Sequence, residues 1–467
     1  MLKPRLGKTS WAIGLGLLWI VALLLRFWGL DRFDTLVFDE VYFANFGHNY
    51  LTHTPFFDAH PPLGKYLIAI GIWLQGFTPW GYRWMNALVG SFIPIIIAGI
   101  AYRLSHRPRF ALLAGAFAVL DGLLLVESRY ALINIYLLFF GLLIHYCFLS
   151  ALESRHRWLW LTLSALCIGA TAAVKWNGLG LVLGLYLLWA ICWTLAKLNL
   201  LSPWKQAVRL SRLSPPVVAG YMGSIALICY GLIWIPHLRQ NPDYNFWQLH
   251  YEMLTYHHRV GSGPDVHPYC APWYTWPLMQ RSLSYFYQRA TSPTARVPIY
   301  GPPLPEESTP WIFDVHGMGN PPLWWASTLA ILFLLGQLLY WGYRRIMTDL
   351  GAKAGTEAPS EPAETTLWVP LYLCINYTTN LLPWILVSRC TFIYHYMPAA
   401  TFSSLAAAWI TDGYLDHPNR VLRIIAMMML SLAVFGFLFW LPIYLGLPLS
   451  QADWNLRLRL HPWLSWV

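Results

Sequence analysis

The chain has 467 residues, 57% of them hydrophobic and 11% charged, with a mean hydropathy of +0.45 and a formal net charge of +10. A soluble domain carries about 25% charged residues, so a soluble globular enzyme is excluded and one polytopic membrane domain, residues 1–467, is expected. The basicity follows from the positive-inside bias of membrane proteins and does not imply nucleic acid.

In chain order, Lys3, Arg5 and Lys8 precede a first apolar run from Trp11 to about Leu30. It is longer than a signal-peptide core and lacks a small-residue cleavage site, so an uncleaved first span is expected. Apolar runs then place spans at 11–30, 82–102, 110–127, 130–150, 158–174, 178–197, 216–236, 322–343, 366–388, 391–411 and 421–445. The expectation is an all-α fold of about 11 transmembrane helices. The run 63–79 holds Lys65, Gln75 and Pro79 and reads as a helix lying in the interface. With the N-terminus inside, 17 of the 31 Lys and Arg fall in inner segments, and each short outer turn holds one cation: Arg129, Lys175 or Arg389. That bias fits one orientation, with the C-terminus outside. Two long outer loops result, 31–81 and 237–321, and 344–365 is a cytoplasmic linker. No internal repeat is visible.

The first outer loop opens with adjacent acids, Asp39 and Glu40, among Phe38, Tyr42 and Phe43. Acids at the mouth of a span are often solvated or cap a helix. Held near an acceptor hydroxyl in an apolar loop, a carboxylate gains basicity and can act as a general base. Four cations share that leaflet: Arg83, Arg129, Lys175 and Arg389. Each could snorkel or pair with a nearby acid. Together they suggest a shared anionic ligand at the membrane surface, because Arg grips phosphate bidentately and Lys binds it as a point charge. The histidines His48, His53 and His60 match no metal-ligand spacing, so no cofactor is expected, and a divalent cation finds no support in the pattern. In the large loop, His257, His258, His267, Tyr269, Trp273 and Trp276 form two aromatic-rich clusters. They read either as an interfacial belt or, with His60, as a lid over the acids and an acceptor peptide. His395 and Tyr394 could close the same cavity from the other side. Most of the seven cysteines fall in apolar runs; Cys270 and Cys390 face outward, and a bridge between them is left open.

At these residues the chain resembles a known family. FDEVYFANF and FFDAHPPLGKYLIAIG resemble the first outer loop of the protein O-mannosyltransferases. YRWMNALVGSFIP, LDGLLLVESRYALINIYLLFF, ATAAVKWNGLG, the loop segment 256–287, GNPPLWW and LLPWILVSRCTFIYHYMPA continue the likeness in order, over about residues 30–410. The likeness is to bacterial members: residues 237–321 are too short for the MIR domains of eukaryotic relatives. The resemblance implies a GT-C membrane glycosyltransferase. It implies an inverting transfer of mannose from a polyprenyl-phosphate donor to Ser or Thr hydroxyls of secreted polypeptides, at the outer face of a bacterial plasma membrane. It implies Asp39 as base, Glu40 as its partner and Arg83 in donor binding or site organisation. One departure stands out: many members continue the Ser-Arg-Tyr turn with Leu-Leu-Asp, where this chain has Leu132-Ile133-Asn134, so an acidic role there is in doubt. A GT-C transferase acting on a lipid or glycan acceptor is the nearest alternative. A lipid-linked sugar transporter fits less well, because most ionisable groups cluster on one leaflet and Asp121 alone lies deep.

Overall fold

The computed structural model describes residues 7–197, 205–292, 295, 297–300, 310–352, 367–459 and 466. Lys3, Arg5 and most of the expected linker 344–365 lie outside these residues. Seventeen α-helices are described: α1 Lys8–Phe27, α2 Glu40–Leu51, α3 Leu63–Gln75, α4 Pro79–Ser105, α5 Pro108–Val119, α6 Gly122–Glu127, α7 Asn134–Glu153, α8 Arg157–Val174, α9 Leu179–Lys197, α10 Lys205–Ser211, α11 Pro215–Gln240, α12 Phe246–Arg259, α13 Pro321–Ala352, α14 Trp368–Leu381, α15 Met397–Leu415, α16 Arg420–Leu445 and α17 Gln451–Leu458.

Eight helices among the described residues are long and apolar enough to cross a membrane, and they match eight of the eleven expected spans. The other three differ for local reasons. The run 110–127 is broken at Leu120-Asp121 into α5 and α6, because the Asp121 carboxylate accepts from Leu124 N at 2.9 Å and so starts a new helix. A buried carboxylate without such donors would be costly. The run 366–388 ends its α-helix at Leu381 and continues as a tight 3-10 stretch, Leu382–Leu386, with Pro383 near its start. The run 391–411 begins with a single 3-10 turn, Ile393–Tyr396, before α15. Helix α3, in the run 63–79, has 13 residues and is too short to cross a bilayer. It packs on α4 so closely that a Cβ at Gly71 would lie 2.5 Å from the Gly81 carbonyl oxygen.

Helix α7 is apolar all round and lies at the centre, with 78% of its apolar window buried, against 11% for α1 at the edge. It packs on α4, α8 and α9. Helix α1 exposes Ile13, Leu17, Ile20 and Leu24 along one stripe, a surface suited to lipid. The first loop, the large loop and the turns before α7, α9 and α15 gather at one end of the bundle. Asp34 N donates to Pro298 O there, and Ala271 N to Thr391 O. The large loop also contributes an element that the reading of the sequence as all-helical missed. Strands β1 Leu283–Ala290, β2 Trp311–Gly317 and β3 Leu449–Ser450 form an antiparallel sheet in that order, with a register shift between Ser284 and Phe286.

Candidate active site

After α1 the chain must turn, and the last carbonyls of the helix need partners. Arg129 supplies them. Its Nη1 donates to Leu25 O, Arg26 O and Trp28 O at 2.9, 3.0 and 2.7 Å, and its Nη2 to Gly29 O at 3.1 Å. Arg83, from the first turns of α4, reaches the next stretch. It donates to Leu30 O, Phe33 O and Thr35 O at 3.2, 2.8 and 2.7 Å, and grips both oxygens of Glu40 at 2.8 Å each. Glu40 also accepts from Val37 N and Ala131 N, each at 2.8 Å. Arg83 and Glu40 are fully buried. Glu40 is thereby a brace under the first loop, held by Arg83 and two backbone amides. Arg83 and Arg129 organise backbone, and neither lines the cavity described below.

Asp39 is left over, and its situation differs. It is half-buried at the start of α2 and makes no side-chain capping bond. The residue before it, Phe38, sits in the left-handed region at φ 51°, a costly conformation for a bulky side chain. Desolvation pushes the Asp39 carboxyl up to about 6, with Lys175 pulling it down and Asp58 adding to the rise.

A cavity of about 700 Å³ is lined by Lys175, whose charge acts on Asp39, while Asp39 itself is not among the lining residues. The mouth of the cavity is polar: His60, Lys175, Asn177, His257 and Arg389. Leu179, Val182 and Leu183 of α9, with Pro383 and Val387, give it an apolar trough. Lys175 Nζ donates to Asn134 Oδ1 at 3.2 Å and lies 5.1 Å over the Tyr394 ring. Desolvation and then Arg389 lower it to about 8. His60 and His257 pack ring to ring at 5.4 Å. Burial and the neighbouring cations hold His60 well below the usual range and His257 at about 4, so both are neutral at pH 7. Arg389 is fixed by its neighbours. Cys270 and Cys390 are joined by a disulfide with Cα atoms 5.2 Å apart, and Cys390 N donates to Gly261 O at 2.7 Å.

The remaining expected residues divide. Tyr394 and His395 are buried behind Lys175, and the His395 ring lies 4.6 Å from Trp384, which lines the cavity. Of the expected lid, only His257 and His60 reach the cavity. His258 is exposed on the next position of α12. His267 packs on Phe392 at 5.0 Å, Tyr269 on His267 and Trp273 on Tyr274; none of the three lines the cavity. Among the described residues, no cluster of three or more His, Cys, Asp or Glu side chains is disposed to hold a metal.

Sequence reasoning missed three contributors. Lys65 is ion-paired with Asp58 and donates to His60 O at 2.6 Å, which shapes the floor of the loop. Both stand in the acid-and-histidine segment already singled out, so charge pairing was available as a signal. Glu127 is buried and accepts from Tyr285 and from Asn134. Asn134, at the position where an acid was in doubt, is a neutral bridge between Glu127 and Lys175. Nothing in the sequence pointed to Tyr285.

Comparisons with known proteins bear on the family and the fold. A family described as dolichyl-phosphate-mannose-protein mannosyltransferase matches residues 16–80 and 77–238. The C-terminal four TMM region of protein-O-mannosyltransferase matches 243–463. The polyprenol-phosphate-mannose–protein mannosyltransferase of Mycolicibacterium smegmatis is 24% identical over 458 residues, covering 86% of this chain and 81% of the relative. Among solved structures, the S. cerevisiae protein O-mannosyltransferase Pmt1-Pmt2 complex bound to the sugar donor aligns with TM-score 0.66 at 14% identity, covering 96% of this chain and 92% of that one. ArnT from Cupriavidus metallidurans bound to undecaprenyl phosphate aligns with TM-score 0.52 at 14% identity, covering 94% and 77%. The fold is that of the GT-C glycosyltransferases.

Proposed function

Because this chain belongs to the dolichyl-phosphate-mannose-protein mannosyltransferase family, we propose that it moves mannose from a polyprenyl-phosphate donor to Ser or Thr hydroxyls of secreted polypeptides, with the loop end of the bundle on the outer face of the plasma membrane. The polyprenyl chain lies in the apolar trough along α9. The phosphate sits at the mouth, between Lys175 and Arg389, with His60 and His257 as neutral hydrogen-bonding neighbours. Asp39 takes the proton from the acceptor hydroxyl as its oxygen attacks the anomeric carbon. The bond from that carbon to the phosphate oxygen breaks, and polyprenyl phosphate leaves with the electron pair, its charge balanced by Lys175 and Arg389. Attack from the face opposite the leaving group inverts the anomeric centre.

One observation carries the reading. A half-buried carboxylate free of a capping bond, its acidity weakened by desolvation, lies in the field of a lysine at the mouth of an apolar trough. Such a trough suits a lipid phosphate and suits a water-soluble nucleotide sugar poorly. Purified protein incubated with polyprenyl-phosphate mannose and a Ser/Thr peptide should yield mannosyl-peptide. Asp39→Asn should lower the rate by about 10²–10⁴ while donor binding persists. A variant turning over within about threefold of wild type removes Asp39 from the base role.

A further inference from the structure

The outer sheet and the reacting carboxylate are far apart in sequence, yet one side chain joins them. Tyr285 stands in β1 at the register shift, where Ser284 pairs with His316 and Phe286 already pairs with Val315. The shift leaves Tyr285 as an extra, unpaired residue on its strand. Bulges of this kind re-aim a side chain, and they recur next to active sites. Here the side chain is sent down into the bundle, where Tyr285 is 5% exposed.

Two separate contacts follow. The Tyr285 ring lies on the Phe38 ring with centroids 4.6 Å apart and planes within 14°. Phe38 is the residue held at φ 51° immediately before Asp39. Left-handed backbone at a bulky residue persists only where its surroundings over-determine it, and the stacked ring supplies that constraint. The hydroxyl of the same residue donates to Glu127. Asn134 Nδ2 donates to the Glu127 oxygens at 3.4 and 3.3 Å, and Asn134 Oδ1 accepts from Lys175 Nζ at 3.2 Å. One tyrosine thus touches the two chains of contacts that end on Asp39 and on Lys175.

We propose that Tyr285 is the positioning residue of this site: its ring holds Phe38, and through it the aim of Asp39, while its hydroxyl, through Glu127 and Asn134, holds the ammonium of Lys175 at the mouth of the donor trough. The proposal rests on the reading of Asp39 as the base. The two arms separate by substitution. Tyr285→Phe keeps the ring and removes the hydroxyl, so kcat stays within threefold while the KM for the lipid donor rises about tenfold. Tyr285→Leu removes the stack as well, so kcat falls about a hundredfold. A general loss of fold would lower both variants together and would not be rescued by phenylalanine.

The test is steady-state kinetics of the full-length protein in detergent, with polyprenyl-phosphate mannose and a Ser/Thr peptide. Wild type, Tyr285→Phe, Tyr285→Leu, Phe38→Gly, the double variant Phe38→Gly/Tyr285→Leu and Asp39→Asn are assayed side by side. Glycine adopts positive φ without a holding partner, so the leucine substitution should cost threefold or less in the glycine background. That shrinkage, with phenylalanine rescue of kcat, supports the proposal and remains readable if Tyr285→Leu alone is poorly folded. Equal kcat losses for Phe and Leu, or a leucine penalty undiminished beside Phe38→Gly, overturns it. A dead Asp39→Asn with Tyr285→Leu at wild-type rate strikes Tyr285 alone. An active Asp39→Asn strikes the reading of the base, and the proposal falls with it.

Discussion

Two pairs of cations stand at the loop end of the helices, and the structure treats them differently. Arg83 and Arg129 lie where α1 ends, and together they bond seven backbone carbonyls and one carboxylate. Lys175 and Arg389 lie across the site at the mouth of an apolar trough, where one side-chain amide and one carbonyl are the hydrogen-bond acceptors given to them. In sequence all four are lone cations beside a span. In space the first pair finishes the backbone of the first loop, and the second lines the cavity, where the proposed function assigns it to the donor phosphate. What decides between the roles is the supply of unpaired carbonyls nearby: a helix C-terminus offers several within reach of one guanidinium, and the wall of an apolar trough offers almost none.

The comparison breaks most easily at the buried side. Removing one partner of a buried ion pair costs about 3–5 kcal/mol, because the other charge stays buried alone. Arg83→Ala and Glu40→Gln should therefore lose folded protein. Thermal unfolding and size-exclusion profiles of the detergent-solubilised variants check this. A normal melting temperature with only the donor KM raised would show that Arg83 faces substrate after all.

The trough side should behave in the opposite way. A charge-assisted hydrogen bond is worth about 1.5–3 kcal/mol, which is roughly tenfold to a hundredfold in affinity. Lys175→Ala and Arg389→Ala should weaken apparent donor affinity by that much at an unchanged melting temperature, with the acceptor KM little altered. Unchanged donor affinity in both would place the phosphate elsewhere.

These two outcomes mark what could be read from the sequence. Length and apolarity located the eight long helices, because a bilayer imposes a length that no other constraint mimics. Hydropathy runs straight through Asp121 and Pro383, so the breaks at α5/α6 and after α14 were hidden; they follow from local hydrogen bonding and ring sterics. The pattern Asp39-Glu40 announced a site but not a division of labour. That division depends on Arg83, whose bond to Phe33 O spans 50 residues of chain. Tyr285 was out of reach altogether, since a bulge is a property of two paired strands and β1 alone reads as one more aromatic loop segment. The Cys270–Cys390 bridge, left open by spacing, is settled by the approach of two chain segments.

The pH profile sharpens the contrast further. As the proposed base, Asp39 would have to be deprotonated to accept a proton; it is pushed up to about 6, so kcat/KM should fall as pH drops through about 6. In the proposed phosphate-binding role Lys175 would have to be charged; it is lowered to about 8, so donor use should weaken as pH rises through about 8. Lys175→Arg should remove the upper limb, since a guanidinium stays charged. Lys175→Ala should also move the lower limb upward, because the lysine pulls the Asp39 value down. An acid limb that stays in place when Lys175 is removed would separate Asp39 from the trough.

The smallest expected difference lies between two adjacent residues. His257 lines the trough, packs on His60 at 5.4 Å and has Nε2 3.1 Å from the Ala59 carbonyl oxygen. His258, one helical position on, is exposed. A neutral hydrogen bond of this kind is worth about 1 kcal/mol, so His257→Ala should raise the donor KM about fivefold by that amount. An exposed substitution stays within about 0.5 kcal/mol, so His258→Ala should be indistinguishable from wild type in a twofold assay. Because the two share one helix, one loop and one composition, global loosening of the large loop would affect both alike. Equal losses would show that the loop acts as a mobile cover, with both histidines reaching the donor; a loss confined to His257 would show that α12 presents one fixed face to the trough.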